Sequence, residues 1–397
     1  MLAKALMGLG MSLALLVGSA AGQAEREAAV VEPATVYPGE NWARAPLPAS
    51  AEAQVQALID EAMSRELSDL MGESRQIVVI HKGQLVAEAY REGFTPETKL
   101  VSWSMAKSIT QALVGRAVQE GLIDDIDAPA PSPWRGDDPR AAITWRQWMT
   151  MSDGLEYDEI TSPDLLSNDA VQMLFGAGRS NVIEYIEKLP QVHEAGTHWN
   201  YSSAAFNVIS RALLGPVDER RRQPGLQRID WHGNDRQNVM REWILTTLFD
   251  PLYMDAQPEF DAAGTFIGGA YVYASARDFA RFGYLYLRDG VWEGERLLPE
   301  GWVELATTAH EGSDTNVYGA GWWITPPEGE TPTHPQSAKS GPYDAFRADG
   351  NQGQTIWVVP SKDLVIVRLG LMSNGGENWP TLLEWNQKVA RAFPNAE

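Results

Sequence analysis

The strands that this sequence declares most plainly stand at its two ends, and that placement restricts the fold more than any other feature. Ile77-Val78-Val79-Ile80 and the run from Leu85 to Tyr90 flank His81-Lys82-Gly83-Gln84, which reads as an antiparallel hairpin turning at Lys82-Gly83. Gln354 to Val359 and Leu364 to Leu369 read as a second hairpin around Pro360-Ser361-Lys362-Asp363. Apolar residues at helical spacing precede the first hairpin (Val55, Leu58, Ile59, Ala62, Met63) and follow the second (Leu382, Leu383, Trp385, Val389, Phe393). This mirrored order predicts one antiparallel sheet covered by both terminal helices. Between the ends, helical patterns dominate: Ile109, Leu113 and Ala117; Val182, Ile183 and Ile186; Phe206, Ile209 and Leu213; Trp243, Ile244 and Leu248. The expectation is an α+β fold in which a mostly helical domain, residues 108–262, is inserted into a sheet domain made of residues 51–107 and 263–397. The cleft between them is where a ligand is expected.

The first residues place Lys4 before an apolar stretch that ends in small residues around Gly22-Gln23-Ala24. That is the layout of a cleavable export signal, residues 1–24, and the apolar run is too short to favour a permanent span. Export to the periplasm or the medium is therefore expected, with no membrane span left after cleavage. Residues 25–50, with Pro33, Pro38, Pro46 and Pro48, are expected to form an extended lead-in. The 53 acidic against 32 basic side chains give a net charge of −21, which repels nucleic acid and anionic membranes. The absence of cysteine removes thiol nucleophiles, Cys-based zinc sites and disulfides, and the six histidines show no HExxH spacing. No metal and no cofactor are expected.

Ser104-Met105-Ala106-Lys107 opens the helical run Met105, Ile109, Leu113. Positions i and i+3 share a helix face, so the Lys107 amine can approach the Ser104 hydroxyl, and the helix amino end favours an alkoxide there. A lysine serves as base only when burial or neighbours lower its pKa. Ser-x-x-Lys arises by chance about once or twice in a chain this long, so it needs companions. Tyr201-Ser202-Ser203 precedes the helical run from Ala204 to Leu214, and a tyrosine at such a junction can relay a proton. Ala348-Asp349-Gly350-Asn351-Gln352-Gly353-Gln354 leads into the strand from Thr355 to Val359. Gly350 and Gly353 let the backbone approach a ligand, and an N–H there can complete an oxyanion hole with that of Ser104. Trp103, Trp145, Trp148, Trp199, Trp322 and Trp323 stand near the segments that matter here; most are expected simply to pack, and some could wall an apolar channel.

Together these segments resemble the serine β-lactamase and penicillin-binding-protein superfamily, with its Ser-x-x-Lys, Tyr and Lys/His-x-Gly elements. The resemblance runs from about residue 51 to the end. It is nearest to the branch of class C β-lactamases, carboxylesterases and 6-aminohexanoate-oligomer amidases. Met149-Thr150-Met151-Ser152-Asp153-Gly154-Leu155 and the run from Ala274 to Gly283 add to it. The resemblance implies Ser104 as acyl-forming nucleophile, Lys107 as its base and Tyr201 as proton relay. It implies an oxyanion hole from the backbone N–H groups of Ser104 and Asn351, and substrate contacts at Ser203, Gly350, Gly353 and Trp199.

Two departures bear on the substrate. Tyr201-Ser202-Ser203 replaces the Tyr-x-Asn of β-lactamases and peptidases, and Ala348-Asp349-Gly350 replaces Lys-Thr-Gly, removing the cation for a substrate carboxylate. Lys339-Ser340-Gly341 spells the missing motif upstream, but the hairpin register favours the later position. An ester or amide hydrolase acting on a small molecule is the expectation. A β-lactamase or D-alanyl peptidase, and a non-catalytic scaffold of the same fold, are the alternatives. The stretch from Val217 to Arg236 reads as an insertion.

Overall fold

The computed structural model describes residues 35–396 apart from 161–163, 165, 222–232, 311–312, 327–328, 334–341, 343 and 374–376. The expected export signal, Lys339-Ser340-Gly341 and the middle of the Val217 to Arg236 insertion lie outside the described residues.

Helix α1 (Glu52–Ser64) leads to strands β1 (Glu73–His81) and β2 (Gln84–Tyr90). Their turn has Lys82 at φ +51° and Gly83 at φ +74°, the doubly left-handed geometry of a tight two-residue hairpin. A Cβ on Gly83 would stand 2.2 Å from the Val36 carbonyl oxygen, so the backbone at Val36 packs directly over this turn. Then come α2 (Met105–Gln119), α3 (Ser203–Arg221) and α4 (Ala276–Leu287), followed by β3 (Trp323–Ile324), β4 (Phe346–Gly350), β5 (Gln354–Val359), β6 (Leu364–Leu371) and α5 (Asn378–Ala392). These strands form one six-stranded antiparallel sheet in the order β2-β1-β6-β5-β4-β3. The β1–β6 register, Val78 opposite Val367 and His81 opposite Leu364, joins the two ends of the described chain.

Both faces of the sheet are covered, which is why its central strands read as nearly unbroken apolar runs. Ile77, Val79, Trp357 and Ile366 face α1 and α5, while the alternate residues Val78, Ile80, Ile356, Val358 and Val367 face the core that includes α2 and α4. Ser275 and Asp278 form a capping box at the start of α4, and Gly283 lets that helix press against Ile356 and Val365. The outer layer is tied by Trp385, whose Nε1 donates to the Leu58 carbonyl at 2.9 Å. The helical segment between the strands shares the core of the inner face, since Phe206 and Leu213 belong to the same apolar cluster as Val78 and Val367. The described residues, from Thr35 to Ala396, form one compact unit. No helix among the described residues is long and apolar enough to cross a membrane.

Two local readings are refined. The stretch from Ala348 to Gln354 that leads into the strand at Thr355 begins inside another strand: Phe346–Gly350 is β4, and a tight turn over Asn351–Gly353 separates it from β5. The helix expected through Leu248 is regular only to Ile244, after which Leu245–Phe249 widens into a π-turn.

Candidate active site

Leu100–Val101 pairs with Val272–Ala274, and the Ser102 N–H continues the contact to the Val272 carbonyl at 2.8 Å. Trp103 then turns left-handed at φ +45°, a conformation costly for a bulky side chain and typical of strained functional loops. This turn delivers Ser104 to the amino end of α2. Lys107 follows one turn later and is 1% exposed. Its Nζ donates to Ser104 Oγ at 2.8 Å, Ser203 Oγ at 2.8 Å and the Gly269 carbonyl at 2.9 Å. Burial lowers the Lys107 pKa to about 8, against the opposing pull of the Glu159 carboxylate. The i,i+3 spacing thus brings a desolvated amine against the hydroxyl it was expected to activate.

Tyr201 lies just ahead of α3, on a segment braced by Met151. Asn200 N–H donates to the Met151 carbonyl at 3.0 Å, and Ser202 N–H to Met151 Sδ at 3.3 Å. Its ring lies under Lys107, with Nζ 4.8 Å from the centroid, and stacks on Trp323 at 5.4 Å. Burial and then the Glu159 charge push the phenol pKa well up, while a side-chain hydrogen bond with Ser104 works the other way. Tyr201 is therefore a neutral phenol at ordinary pH, suited to passing a proton along and not to holding a phenolate charge.

Glu159 is a residue of the candidate site that the sequence does not mark. It sits in a loop without periodicity or motif, so nothing in the residue string marks it. Its carboxylate accepts from Ser203 N–H at 2.7 Å and Ser203 Oγ–H at 2.8 Å, and lies 3.9 Å from Lys107 Nζ. The Ser203 hydroxyl is thus bound by the lysine on one side and this carboxylate on the other, and the Tyr157 phenol hydrogen-bonds to it as well.

The opposite wall comes from β4. A Cβ on Gly350 would meet the Ser102 carbonyl oxygen at 2.2 Å, so only glycine lets β4 lie against the segment leading to Ser104. Asp349, Gly350 and Asn351 line the same cavity of about 420 Å³ as Ser104, Tyr201 and Ser203. Asp349 Oδ2 accepts from Arg347 Nε at 2.8 Å, Oδ1 has no partner among the described residues, and burial raises the carboxyl pKa. Trp103, Ile160, Val171, Leu174 and Phe175 give the cavity an apolar flank, and no Lys, Arg or His lines it among the described residues.

Of the remaining expected contacts, Trp199 lines an adjoining cavity of about 690 Å³ that shares Glu159, Ile160 and Tyr201 with the first. Gly353 does not line the cavity. A Cβ there would strike Arg368 Nη1 at 2.6 Å and Met372 Sδ at 2.9 Å, so this glycine makes room for a buried arginine. Arg368 in turn donates to the Gly353, Met71 and Glu73 carbonyls at 2.8–2.9 Å. Among the described residues no group of three or more acidic or histidine side chains is arranged to hold a metal.

The sequence profile of the Beta-lactamase family matches residues 63–390. The chain belongs to the β-lactamase family and has its hydrolase fold. The 6-aminohexanoate-dimer hydrolase of Paenarthrobacter ureafaciens is 25% identical over 316 residues, covering 76% of this chain and 72% of its own. A Bacillus anthracis protein provisionally named 6-aminohexanoate-dimer hydrolase has a TM-score of 0.64 at 20% identity, over 90% of this chain and 89% of its own. EstCE1, described as a hydrolase with promiscuous acyltransferase activity, gives 0.56 at 15% identity, over 86% of this chain and 98% of its own.

Proposed function

We propose that this chain is an exported serine hydrolase that cleaves a neutral ester or amide through an acyl-Ser104 intermediate. The observation that carries this reading is the buried Lys107 amine 2.8 Å from Ser104 Oγ, with its pKa lowered towards neutrality. The neutral amine takes the Ser104 proton as Oγ attacks the substrate carbonyl carbon. The backbone N–H groups of Ser104 and Asn351 receive the oxyanion. As the tetrahedral adduct collapses, the bond to the leaving group breaks, and the departing alcohol or amine takes a proton relayed through Tyr201. Water then attacks the acyl-enzyme carbonyl by the reverse proton route, releasing the acid and restoring Ser104.

The substrate class follows from the cavity wall. Asp349 stands in the Lys-Thr-Gly segment and no cation lines the cavity among the described residues, so a substrate carboxylate finds repulsion where β-lactams and D-alanyl peptides need a partner. The apolar flank suits an uncharged acyl group. A linear amide of the kind named for the Paenarthrobacter relative falls within the same chemistry. The amino-terminal segment supports export to the periplasm or the medium.

Stopped-flow hydrolysis of p-nitrophenyl acetate tests the reading. A burst of nitrophenolate equal to the enzyme concentration, absent in Ser104→Ala, is expected. Turnover without a burst, and undiminished in Ser104→Ala, would refute the acyl-serine route.

A further inference from the structure

Ser203 occupies the place where the resembling β-lactamases and peptidases carry the amide of Tyr-x-Asn, and a hydroxyl introduces an ambiguity there. It has one rotatable proton, and it lies as close to Lys107 as the nucleophile does, both at 2.8 Å. A neutral lysine amine has two N–H donors and one lone pair. The Gly269 carbonyl can only accept, so the lone pair takes a hydroxyl proton from either Ser104 or Ser203. Only the first arrangement begins the reaction.

We propose that Glu159 is a positioning residue that resolves this choice by holding the Ser203 proton, so that the lone pair of Lys107 turns to Ser104. The geometry is a clamp: one carboxylate oxygen takes the Ser203 hydroxyl at 2.8 Å and the other its backbone N–H at 2.7 Å. With its proton committed, Ser203 Oγ can only accept, from Lys107 and from the protonated Tyr157 phenol, and offers the lysine lone pair no proton. The other ionisable groups around the site leave this role open to Glu159. Tyr157, Tyr201 and Tyr318 are phenols held protonated first by burial, and Asp349 is bonded to Arg347. The carboxylate, 3.9 Å from Nζ, also stabilises the ammonium that forms as Ser104 is deprotonated. The proposal rests on the reading of Ser104 and Lys107 given above.

The test is Glu159→Gln made in two backgrounds and assayed on a neutral ester across pH. The glutamine amide can donate to Ser203 Oγ, turning the hydroxyl proton towards Lys107. In the otherwise native enzyme, kcat/KM is expected to fall about 10- to 100-fold, with the acidic limb of the profile moving to lower pH because a negative neighbour is gone. In Ser203→Ala the competing proton is absent, so adding Glu159→Gln should cost less than about threefold while the limb still moves. Equal losses in the two backgrounds would make Glu159 a mere prop and overturn the proposal, as would no loss in either. Ser203→Ala alone supplies a second check that does not need the glutamine variant to fold. It removes the competitor together with the bridge, so its loss should be smaller than that of Glu159→Gln, and a larger loss overturns the proposal. Fluorophosphonate labelling of Ser104 in the native enzyme separates the two levels. Without it both readings fail, whereas labelling with an indifferent Glu159→Gln removes only this one.

Discussion

On the helix side of the cavity, Lys107 reaches three acceptors within 2.9 Å, and Ser203 and Glu159 close the network behind it. On the sheet side, Asp349 is bonded through one oxygen to Arg347, and its other oxygen has no partner among the described residues. The first wall is complete before any ligand arrives, which is what electrostatic preorganisation requires. The second holds a buried carboxylate oxygen without a partner among the described residues, and under the proposed function its charge would bear on which ligands the cavity accepts. Under the proposed function, the difference separates reaction from selection: the helix wall would set what chemistry occurs, and the sheet wall which molecules undergo it.

Damage to the helix wall should therefore be large and indifferent to substrate. Ser104→Ala is expected to reduce kcat on every ester tested by at least about 10³-fold, and Lys107→Ala by a comparable factor, with unchanged melting curves for Ser104→Ala. Because the two act as a unit, the double variant should be little worse than either single one, and additive losses would break the comparison.

The pH profile probes the same wall more gently. Burial places the Lys107 pKa at about 8, below its usual value, so kcat/KM should rise with pH through about 8 as the amine loses its proton. A profile flat between pH 6 and 9 would show that the amine is not the base.

Damage to the sheet wall should instead be selective. Asp349→Asn is expected to leave a neutral ester within about threefold and to improve an ester carrying a carboxylate about tenfold relative to it. A uniform change in both rates would merge the two walls into one.

The smallest effect falls on stability. Asp153, in the segment that braces Tyr201, is buried, and desolvation raises its pKa to about 6. Its folded pKa lies above the unfolded value, so its contribution to stability is present below about pH 4 and lost as pH rises through about 6. Asp153→Asn should therefore raise Tm at pH 8 by about 2–5 °C, without a comparable gain at pH 4, while activity is retained. Calorimetry at the two pH values checks this.

The residues that announced themselves did so through local physics. The terminal hairpins are legible because β-branched runs meet turn residues that tolerate left-handed backbone, as at Lys82-Gly83. Ser104 and Lys107 are legible because a helix places i and i+3 on one face. What stayed hidden depends on distant partners. β4 is not legible as a strand in the sequence because Arg347 and Asp349 look unlike strand residues until their mutual pairing is seen. Gly353 reads as a cavity residue because its conflict with Arg368, fifteen positions later, leaves no trace in the local pattern. Glu159 has no neighbouring motif, and its meaning lies in contacts with Ser203 and Lys107, both more than forty positions away.

The central claim, that a buried amine makes Ser104 the nucleophile, is tested most directly by peptide-mapping mass spectrometry after fluorophosphonate treatment at pH 6 and pH 9. A single adduct on Ser104, forming faster at pH 9 and lost in Lys107→Ala, is the result predicted. An adduct on Ser203 or another hydroxyl, or none on the folded protein, would contradict it.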